Sequence, residues 1–590
     1  MNMNKLFRNF LTWRLKNMSN RQFMMILSVF AGFSAGVAAV ILKNTVHFIQ
    51  KLLTSDFADN YYNFLYFAYP TIGILIVVLF IKYVVRRPVR HGIPSVLYSI
   101  SKNNGIINRH NMFSSIVTSA LTVGFGGSVG LEGPTVSTGA AIGSNIGRMF
   151  HLNYKQIILL IGCAGAGAMA AIFKAPIAAI VFAIEVLMLD LTMMSMIPLL
   201  IATVTATITS YAFLGQNVLY PFEILEKFKL SDIPYYVVLG LVAGLISTYF
   251  TRMYMFINKL FGKIQGWGYR LIIGGITLGV LIFFFPSLYG EGYEAINLSL
   301  NGNTEYLFDN SIYYEYINSF PTIILLMSAI ILLKVIATSV TFGSGGIGGI
   351  FAPSLFIGAN TGLLFAKTAN YFNANISESN FALVGMAGLI SGIIHAPLTA
   401  IFMIAEITGG YWLFMPLMIV STISYATTRI FEPNSVNTKL LAKRGELITH
   451  DKDKALLILM KIDKLIERNF ITINPDANLG DLVKVISDSK RNIYPVVEDD
   501  GTFVGVITLD QVRNIIFKPE LYKTVFVRDL VYMPQDSVES DDSMEDVTSK
   551  FQATGYFNLP VIDDGKYIGF VSKANVFESY RRLLKQFSED

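Results

Sequence analysis

Residues 126–143 read GGSVGLEGPTVSTGAAIG, and residues 345–362 read GGIGGIFAPSLFIGANTG. Laid one over the other, Gly126, Gly127, Gly130, Pro134, Gly139 and Gly143 fall on Gly345, Gly346, Gly349, Pro353, Gly358 and Gly362 at one constant offset. Farther along, FKAPIAAIVFAIEV (173–186) lies over IHAPLTAIFMIAEI (394–407) at almost the same offset, pairing Pro176 with Pro397 and Glu185 with Glu406. Two separate blocks in register identify an internal repeat. The sequence by itself does not orient the halves, but membrane folds with broken helices commonly relate them by inversion and bind substrate at the interface.

The surroundings of these blocks are lipid-like. The chain has 590 residues, 53% of them hydrophobic and only 15% charged, with 44 Phe and a mean hydropathy of +0.52. Such a composition is too apolar for a soluble protein and reads as an α-helical polytopic membrane protein. Candidate spans lie at 24–43, 65–83, 235–256, 271–286, 322–341 and 412–430, each near the roughly 20 residues that cross a bilayer; the runs at 155–170 and 176–189 are shorter or interrupted by Gly and Pro. Lys5, Arg8, Arg14, Lys16 and Arg21 precede the first span without a small-residue cleavage site, so residues 1–21 read as a retained basic terminus. Together with KYVVRRPVR (82–90) they mark the cytoplasmic face by the positive-inside bias, most simply that of the plasma membrane. A single cysteine, Cys163, excludes an internal disulfide framework and a Cys-rich metal site, and a net charge of +5 gives no reason to expect a nucleic-acid partner.

In this setting the glycines acquire a purpose. Non-helical backbone is tolerated at membrane depth only where it is buried in protein or lines a polar cavity. A Gly-rich turn feeding Pro134 or Pro353 suits a helix that begins inside the membrane, with free N–H groups and the positive end of its dipole aimed inward. That is an anion site, and two halves would aim two such sites at one place. Glu132 then stands where the anion would rest, as a tethered competitor that blocks when swung in and permits passage when swung out or protonated. The plainer reading is a helix cap worth about 0.3–1 kcal/mol. Inside a span, where ionisable residues are costly and mark function, the gate is preferred.

Near residue 437 the character changes to a charged tail of alternating strand-like and helix-like pieces. IYPVVEDDGTFVGVIT (493–508) and NLPVIDDGKYIGFVS (558–572) align through Pro495 with Pro560, Gly501 with Gly565, Gly505 with Gly569 and Thr508 with Ser572. This resembles a tandem pair of CBS domains, a cytosolic α/β module whose copies dock on each other. The chain divides accordingly into the basic terminus 1–21, a membrane domain 22–436 with repeats at about 22–215 and 230–436, a linker 437–456, and CBS units 457–518 and 519–590.

Over nearly its whole length the chain resembles the CLC family of chloride channels and proton-coupled chloride exchangers. GLEGP (130–134) is similar to the family's G-(R/K)-E-G-P, GIFAP (349–353) to its G-x-F-x-P, and HGIP (91–94) to the tail of its G-S-G-I-P. The resemblance implies a homodimer with one anion pathway per subunit, Glu132 as the gating glutamate, and backbone amides around Leu131, Gly133, Ile350, Phe351 and Ala352 lining the path. Three positions depart from it. The family's central serine falls on His91, whose imidazole could donate to an anion or simply point elsewhere. The tyrosine that closes the inner side in many members falls on Asn437. The exchangers' internal proton-transfer glutamate falls on Val186, which cannot carry a proton. A passive channel is thereby favoured over a proton/chloride exchanger, with Glu185 and Glu406 the remaining internal acids; capping of helix ends or a dimer contact is their plainer role. Lys174 and His395, just before the two Ala-Pro pairs, are expected at helix starts.

CBS domains that hold adenosine nucleotides often use a Ser/Thr and an Asp three residues later. Here Thr508 is followed at that spacing by Gln511 and Ser572 by Asn575, while Asp510 comes one place early. A structural dimerisation role is expected before an adenine-nucleotide site. A divalent-cation transporter would need clustered carboxylates or carbonyls, a sodium-coupled carrier would also use broken helices, and an enzyme would need a nucleophile–base pair, metal cluster or phosphate loop that the sequence does not display.

Overall fold

The structure is a computed structural model that describes residues 9–588 apart from 10, 15, 54–61, 88, 90–91, 189–192, 217–227, 309–312, 314–318, 409–410, 444–456, 458–459 and 461. It divides into two compact units, residues 1–447 and 448–590.

Among the described residues from Asn20 on, eight helices of the first unit are followed by eight counterparts. The first set is α1 (Asn20–Leu53), α2 (Tyr62–Leu79, continued by a π-helical stretch Phe80–Val85), α3 (Gly92–Lys102), α4 (Asn111–Gly124), α5 (Glu132–Met149), α6 (Tyr154–Phe173), α7 (Pro176–Glu185) and α8 (Met193–Leu214). The second is α9 (Ile233–Lys263), α10 (Trp267–Phe284), α11 (Tyr293–Leu300), α12 (Phe320–Gly343), α13 (Phe351–Tyr371), α14 (Glu378–Ile394), α15 (Pro397–Ile407) and α16 (Phe414–Phe431), closed by a short α17 (Lys439–Lys443). Packing partners repeat as well: α1 lies on α8 as α9 lies on α16, and α5 on α6 as α13 on α14. Glycines permit the second pairing. A Cβ on Gly143 would stand 2.2 Å from the Leu160 carbonyl, and one on Gly362 would stand 1.9 Å from the Phe381 carbonyl.

Among the described residues eight helices are long and apolar enough to cross a membrane. Two of them differ from the sequence expectation. Tyr154–Phe173 is a full 20 residues despite its glycines, and Ser195–Leu214 is a span that the candidate set lacked. Its TVTATITS run and the internal Pro198 of α8 dilute the apolar signal; several of those hydroxyls bond back to carbonyls one turn earlier, as Thr203 does to Leu199 (3.0 Å) and Thr207 to Thr203 (2.9 Å), so they need no water. Helices α5 and α13 bury most of their length inside the protein, and nearly all of their Ser, Thr and Gly with it.

Helices α7 and α15 fix the relation of the halves. Glu185, the last residue of α7, accepts the Leu398 N–H at 3.1 Å and the Thr399 N–H and hydroxyl at 2.7 Å, at the start of α15. Glu406, near the end of α15, accepts the Ile177 N–H at 3.1 Å and the Ala178 N–H at 2.8 Å, at the start of α7. Each helix ends against the beginning of the other, so the pair is antiparallel. For helices that run across a bilayer, the twofold axis relating them then lies in the membrane plane, which makes the repeat an inverted one. Lys174 and His395 differ from expectation: they end α6 and α14 in left-handed conformation, φ 57° and 61°, rather than starting α7 and α15. The Ala-Pro pairs that follow exclude the helical conformation for the intervening residue, so the helix must stop before it.

The second unit carries the tail repeat: β1 (Ile466–Glu467), α18 (Leu479–Asp488), β2 (Ile493–Val497), β3 (Phe503–Thr508), α19 (Leu509–Val512), α20 (Met544–Thr554), β4 (Asn558–Asp563), β5 (Lys566–Ser572) and α21 (Lys573–Ser588). Strands β2 and β3 pair antiparallel, as do β4 and β5, each with a bulge after the same residue, Val496 in one and Val561 in the other. The copies dock through reciprocal bonds, Phe503 N–H to Gly565 O at 3.0 Å and Tyr567 N–H to Gly501 O at 3.1 Å. Strand β1 of the first copy joins β5 of the second. The expected linker 437–456 is shortened at its start: Val436, Asn437 and Leu441 are buried in the membrane unit.

Glu406→Ala leaves two N–H groups at the start of α7 without their acceptor, and the cost expected is about 1–3 kcal/mol. A thermal unfolding midpoint of the detergent-solubilised protein that does not fall would exclude the cap's contribution.

Candidate functional site

The two Gly-rich blocks meet as an antiparallel backbone bridge. Gly130 N–H donates to Gly349 O at 2.8 Å and Gly349 N–H donates to Gly130 O at 2.6 Å. The bridge is flanked by two further matched contacts, in which the Thr122 hydroxyl accepts the Ile347 N–H (3.0 Å) and the Thr341 hydroxyl accepts the Ser128 N–H (3.3 Å). No side chain fits here; a Cβ on Gly348 would stand 2.2 Å from Val129. From this crossing α5 and α13 depart. The carbonyl of Leu131 is taken by the Thr135 hydroxyl at 2.7 Å and that of Ile350 by the Ser354 hydroxyl at 2.7 Å. The amides of 131–133 and 350–352 donate to no backbone carbonyl among the described residues. Two helix starts, each with spare donors and a positive dipole end, are thus brought to one place.

Glu132 occupies that place. It is 1% exposed. Its Oε1 accepts the Tyr293 hydroxyl at 3.1 Å. Its carboxylate lies against the N–H groups of Glu132 itself and of Ala352, and its Oε2 completes no well-directed hydrogen bond. The same oxygen abuts the space beside Gly130 and Gly349, where an added Cβ would come within 2.1 and 2.9 Å of it. Gly133 also faces Gly92 at the start of α3, where a Cβ on Gly92 would stand 3.2 Å from the Gly133 Cα. His91, one residue earlier, lies outside the described residues. Phe351 is buried, with its ring 5.1 Å from that of Phe173.

A loop that the sequence reading passed over completes the site. YGEGY (289–293) leads into α11, with Gly290 and Gly292 at φ 60° and 83°. Gly290 N–H donates to Gly126 O at 3.0 Å, and the Tyr289 ring fills the space where Gly126 has no side chain. The buried carboxylate of Glu291 faces the Leu131 N–H. That amide, expected to line the path, therefore meets a second acid. The signal was present in the sequence: an acid between glycines, GEG, repeats the pattern of GLEGP.

The remaining candidates lie apart from this centre in the chain. Val186 is buried, and Glu185 beside it is engaged at the start of α15. Asn437 is 5% exposed, and its Nδ2 has no hydrogen-bond partner. The segment carrying it is held by Glu432, which accepts Arg252 Nε at 2.9 Å and also bonds Lys439 Nζ. Burial pushes the Glu432 carboxyl up, but Lys439 and Arg252 outweigh that and hold it below its ordinary value of 4.5. In the CBS unit Thr508 and Gln511 cap α19 reciprocally, and Asp510 pairs with Arg513 at 2.6 Å on the surface. The Ser572 hydroxyl donates to Glu467 at 2.5 Å, and Asn575 donates to Ser572 Oγ and to Leu465 O, both at 3.2 Å.

A depressed carboxyl contributes stability above the unfolded value, and the contribution disappears as pH falls through the lower folded value. Glu432→Gln is accordingly expected to lower the unfolding midpoint at neutral pH and to converge with the native protein in acid; parallel pH profiles would exclude the ion pairs as the cause.

Residues 72–429 match the family described as voltage gated chloride channel, and residues 462–518 and 527–582 each match the CBS domain. A ClcB-like chloride channel protein of Ralstonia nicotianae is 29% identical over 384 residues, covering 64% of this chain and 85% of that protein. Chloride channel protein CLC-f of Arabidopsis thaliana is 24% identical over 566 residues, 84% of this chain and 69% of that one. Among solved structures, a slow cyanobacterial Cl-/H+ antiporter aligns at a TM-score of 0.64 with 21% identity, over 72% of this chain and 99% of its own. With the family match spanning more than half of its length, and two free helix starts meeting at a buried glutamate, the chain belongs to the CLC family and carries a tandem pair of CBS domains.

Proposed function

We propose that this CLC protein conducts chloride passively, through a pathway gated by Glu132 in each subunit of a homodimer. The observation that carries the reading is the set of amides at 131–133 and 350–352 that donate to no backbone carbonyl, with the carboxylate of Glu132 lying against those of Glu132 and Ala352. A carboxylate and a halide each bring one negative charge to the same donors, so one excludes the other. Protonation removes the charge of Glu132 and its claim on those donors, leaving them to the anion. Ile350, Phe351, Ala352 and Gly133 supply amides at the gate, and the buried, unpartnered Nδ2 of Asn437 is a spare donor for an anion elsewhere on the path. His91 would add another.

The exchanger is the alternative. Coupled exchange needs an inner proton carrier, and the position expected to hold one is Val186, while Glu185 is occupied by three donors of α15. This favours conduction without proton coupling. The basic N-terminus and the CBS pair belong on the cytoplasmic side by the charge bias of the flanking segments, with the plasma membrane the simplest location. For the CBS pair we favour a docking role over nucleotide binding, because Thr508, Ser572 and Asn575 already spend their polar atoms on protein partners.

Two measurements test this reading. In a reconstituted bilayer under a chloride gradient with a superimposed pH gradient, the reversal potential is expected at the chloride Nernst value whatever the pH gradient; a shift with pH makes the protein an exchanger. Glu132→Gln is expected to keep the pathway open and remove its pH response, whereas a variant with native flux and native pH response would exclude the gate. Separately, millimolar ATP is expected to leave the unfolding midpoint of the full chain unchanged, and a rise that saturates with ATP would make the CBS pair a nucleotide site.

A further inference from the structure

The carboxylate of Glu132 is held by unequal partners. Its Oε2 completes no hydrogen bond, whereas its Oε1 accepts the Tyr293 hydroxyl at 3.1 Å. Among the described residues this is the one well-directed bond that the carboxylate makes. The amides at the start of α5 and α13 attract Glu132, but attraction alone does not select one rotamer of a long, flexible side chain. The phenol adds what the amides leave out, a directed contact from another element onto one oxygen.

A hydrogen bond restrains a mobile group only as far as its donor is itself anchored. Tyr293 is the first residue of α11, and its surroundings are tied down. Helix α11 packs on α13 and α14, with Ala295, Ile296 and Leu300 buried, and the half-buried Tyr293 ring packs on the same core. On its N-terminal side the YGEGY loop is fixed from several directions. Lys334 of α12, fully buried, donates to Leu288 O at 3.2 Å and Gly290 O at 2.9 Å. Gly290 N–H donates to Gly126 O at 3.0 Å, in the Gly-rich block that leads to Glu132. Gly292 packs so closely on the Phe356 ring of α13 that a Cβ would stand 2.6 Å from it, and the same ring has the Lys334 ammonium 4.8 Å from its centroid. The hydroxyl is thereby delivered to Glu132 from a seated ring, on an element other than the one that carries the acid.

We propose that Tyr293 is the latch of the gate: its hydroxyl holds Glu132 in the blocking position and sets how readily that side chain yields the helix-start amides to an anion. The proposal deepens the gating role of Glu132 and rests on it. Tyr293 is a positioning residue, acting through Glu132 and not on the permeating ion. Carboxylate and chloride compete for the same donors. A latch that favours the carboxylate therefore raises the chloride concentration needed to fill the pathway, and leaves the rate through the filled pathway as it was.

The test is the initial rate of chloride efflux from proteoliposomes of the full chain, in one alkaline buffer on both sides, over a range of chloride concentrations. Tyr293→Phe keeps the ring and removes the hydroxyl. It is expected to lower the half-saturating chloride concentration by about tenfold, the size of one hydrogen bond to a charged group, at an unchanged maximal rate. Glu132→Ala is expected to lower it at least as far, and Tyr293→Phe added to Glu132→Ala to change nothing more. If Glu132→Ala lowers the half-saturating concentration but Tyr293→Phe leaves it in place or raises it, the latch is excluded and the gate stands; a fall in maximal rate alone, the sign of a merely structural hydroxyl, counts against the latch in the same way. If Glu132→Ala itself keeps the native curve, the gate is wrong and the latch goes with it. A shift caused by Tyr293→Phe in the Glu132→Ala background would place the hydroxyl on the ion and overturn the positioning role.

Discussion

Everything in the membrane unit is arranged around a backbone crossing that has no water to help it. Where Gly130 and Gly349 exchange hydrogen bonds, each half of the repeat satisfies a donor and an acceptor of the other. Thr122 and Thr341 do the same for Ile347 and Ser128. In hydrocarbon each unsatisfied group would cost several kcal/mol, so non-helical chain can exist there only because its partner is the symmetry-related stretch. Once the crossing is in place the starts of α5 and α13 cannot avoid facing a common point, and their unpaired amides make that point attractive to negative charge. The cluster of helix-start amides is therefore a by-product of how two broken helices solve the problem of being broken.

The glycines follow from the same constraint. They are placed where an added side chain would strike backbone or a ring, as Gly143 meets the Leu160 carbonyl and Gly126 the Tyr289 ring. The acids divide by what they face. Glu185 and Glu406 are matched in the repeat and matched in use, each closing the start of the opposite helix. Glu132 has no acidic counterpart, since Phe351 stands at the corresponding turn, and this break in symmetry leaves one half of the repeat with a carboxylate at its helix start and the other without.

Much of this could be read from the residues. The repeat, the Gly-Pro helix starts and the solitary Glu132 were visible because they depend on backbone freedom, and backbone freedom is written in Gly and Pro. The tail duplication was visible for the same reason, through its aligned Gly turns. What escaped was of two kinds. The span of α8 was hidden because Ser and Thr bond back onto their own helix, so a polar composition coexists with an apolar environment. Glu291 was passed over although its acid between glycines repeats the pattern of GLEGP, because nothing in YGEGY says that the loop will be tied to Gly126 and Lys334 or that its carboxylate will face the Leu131 N–H. Lys174 and His395 were placed on the wrong helices by one turn, because a polar residue before Ala-Pro can as well end one helix as begin the next.

The tail holds one feature with a different lesson. Strand β1 precedes every other strand of the first CBS copy, yet its ladder partner is β5, the last strand of the second. The module is thereby knotted in sequence order, first to last, without any knot in its path. A protein cut after the first copy would leave Ile466 and Glu467 with no sheet to join, and a second copy made alone would expose the edge of β5 to any passing strand. The duplication looks like two parts, but only in the complete pair does β5 have a ladder neighbour on both sides.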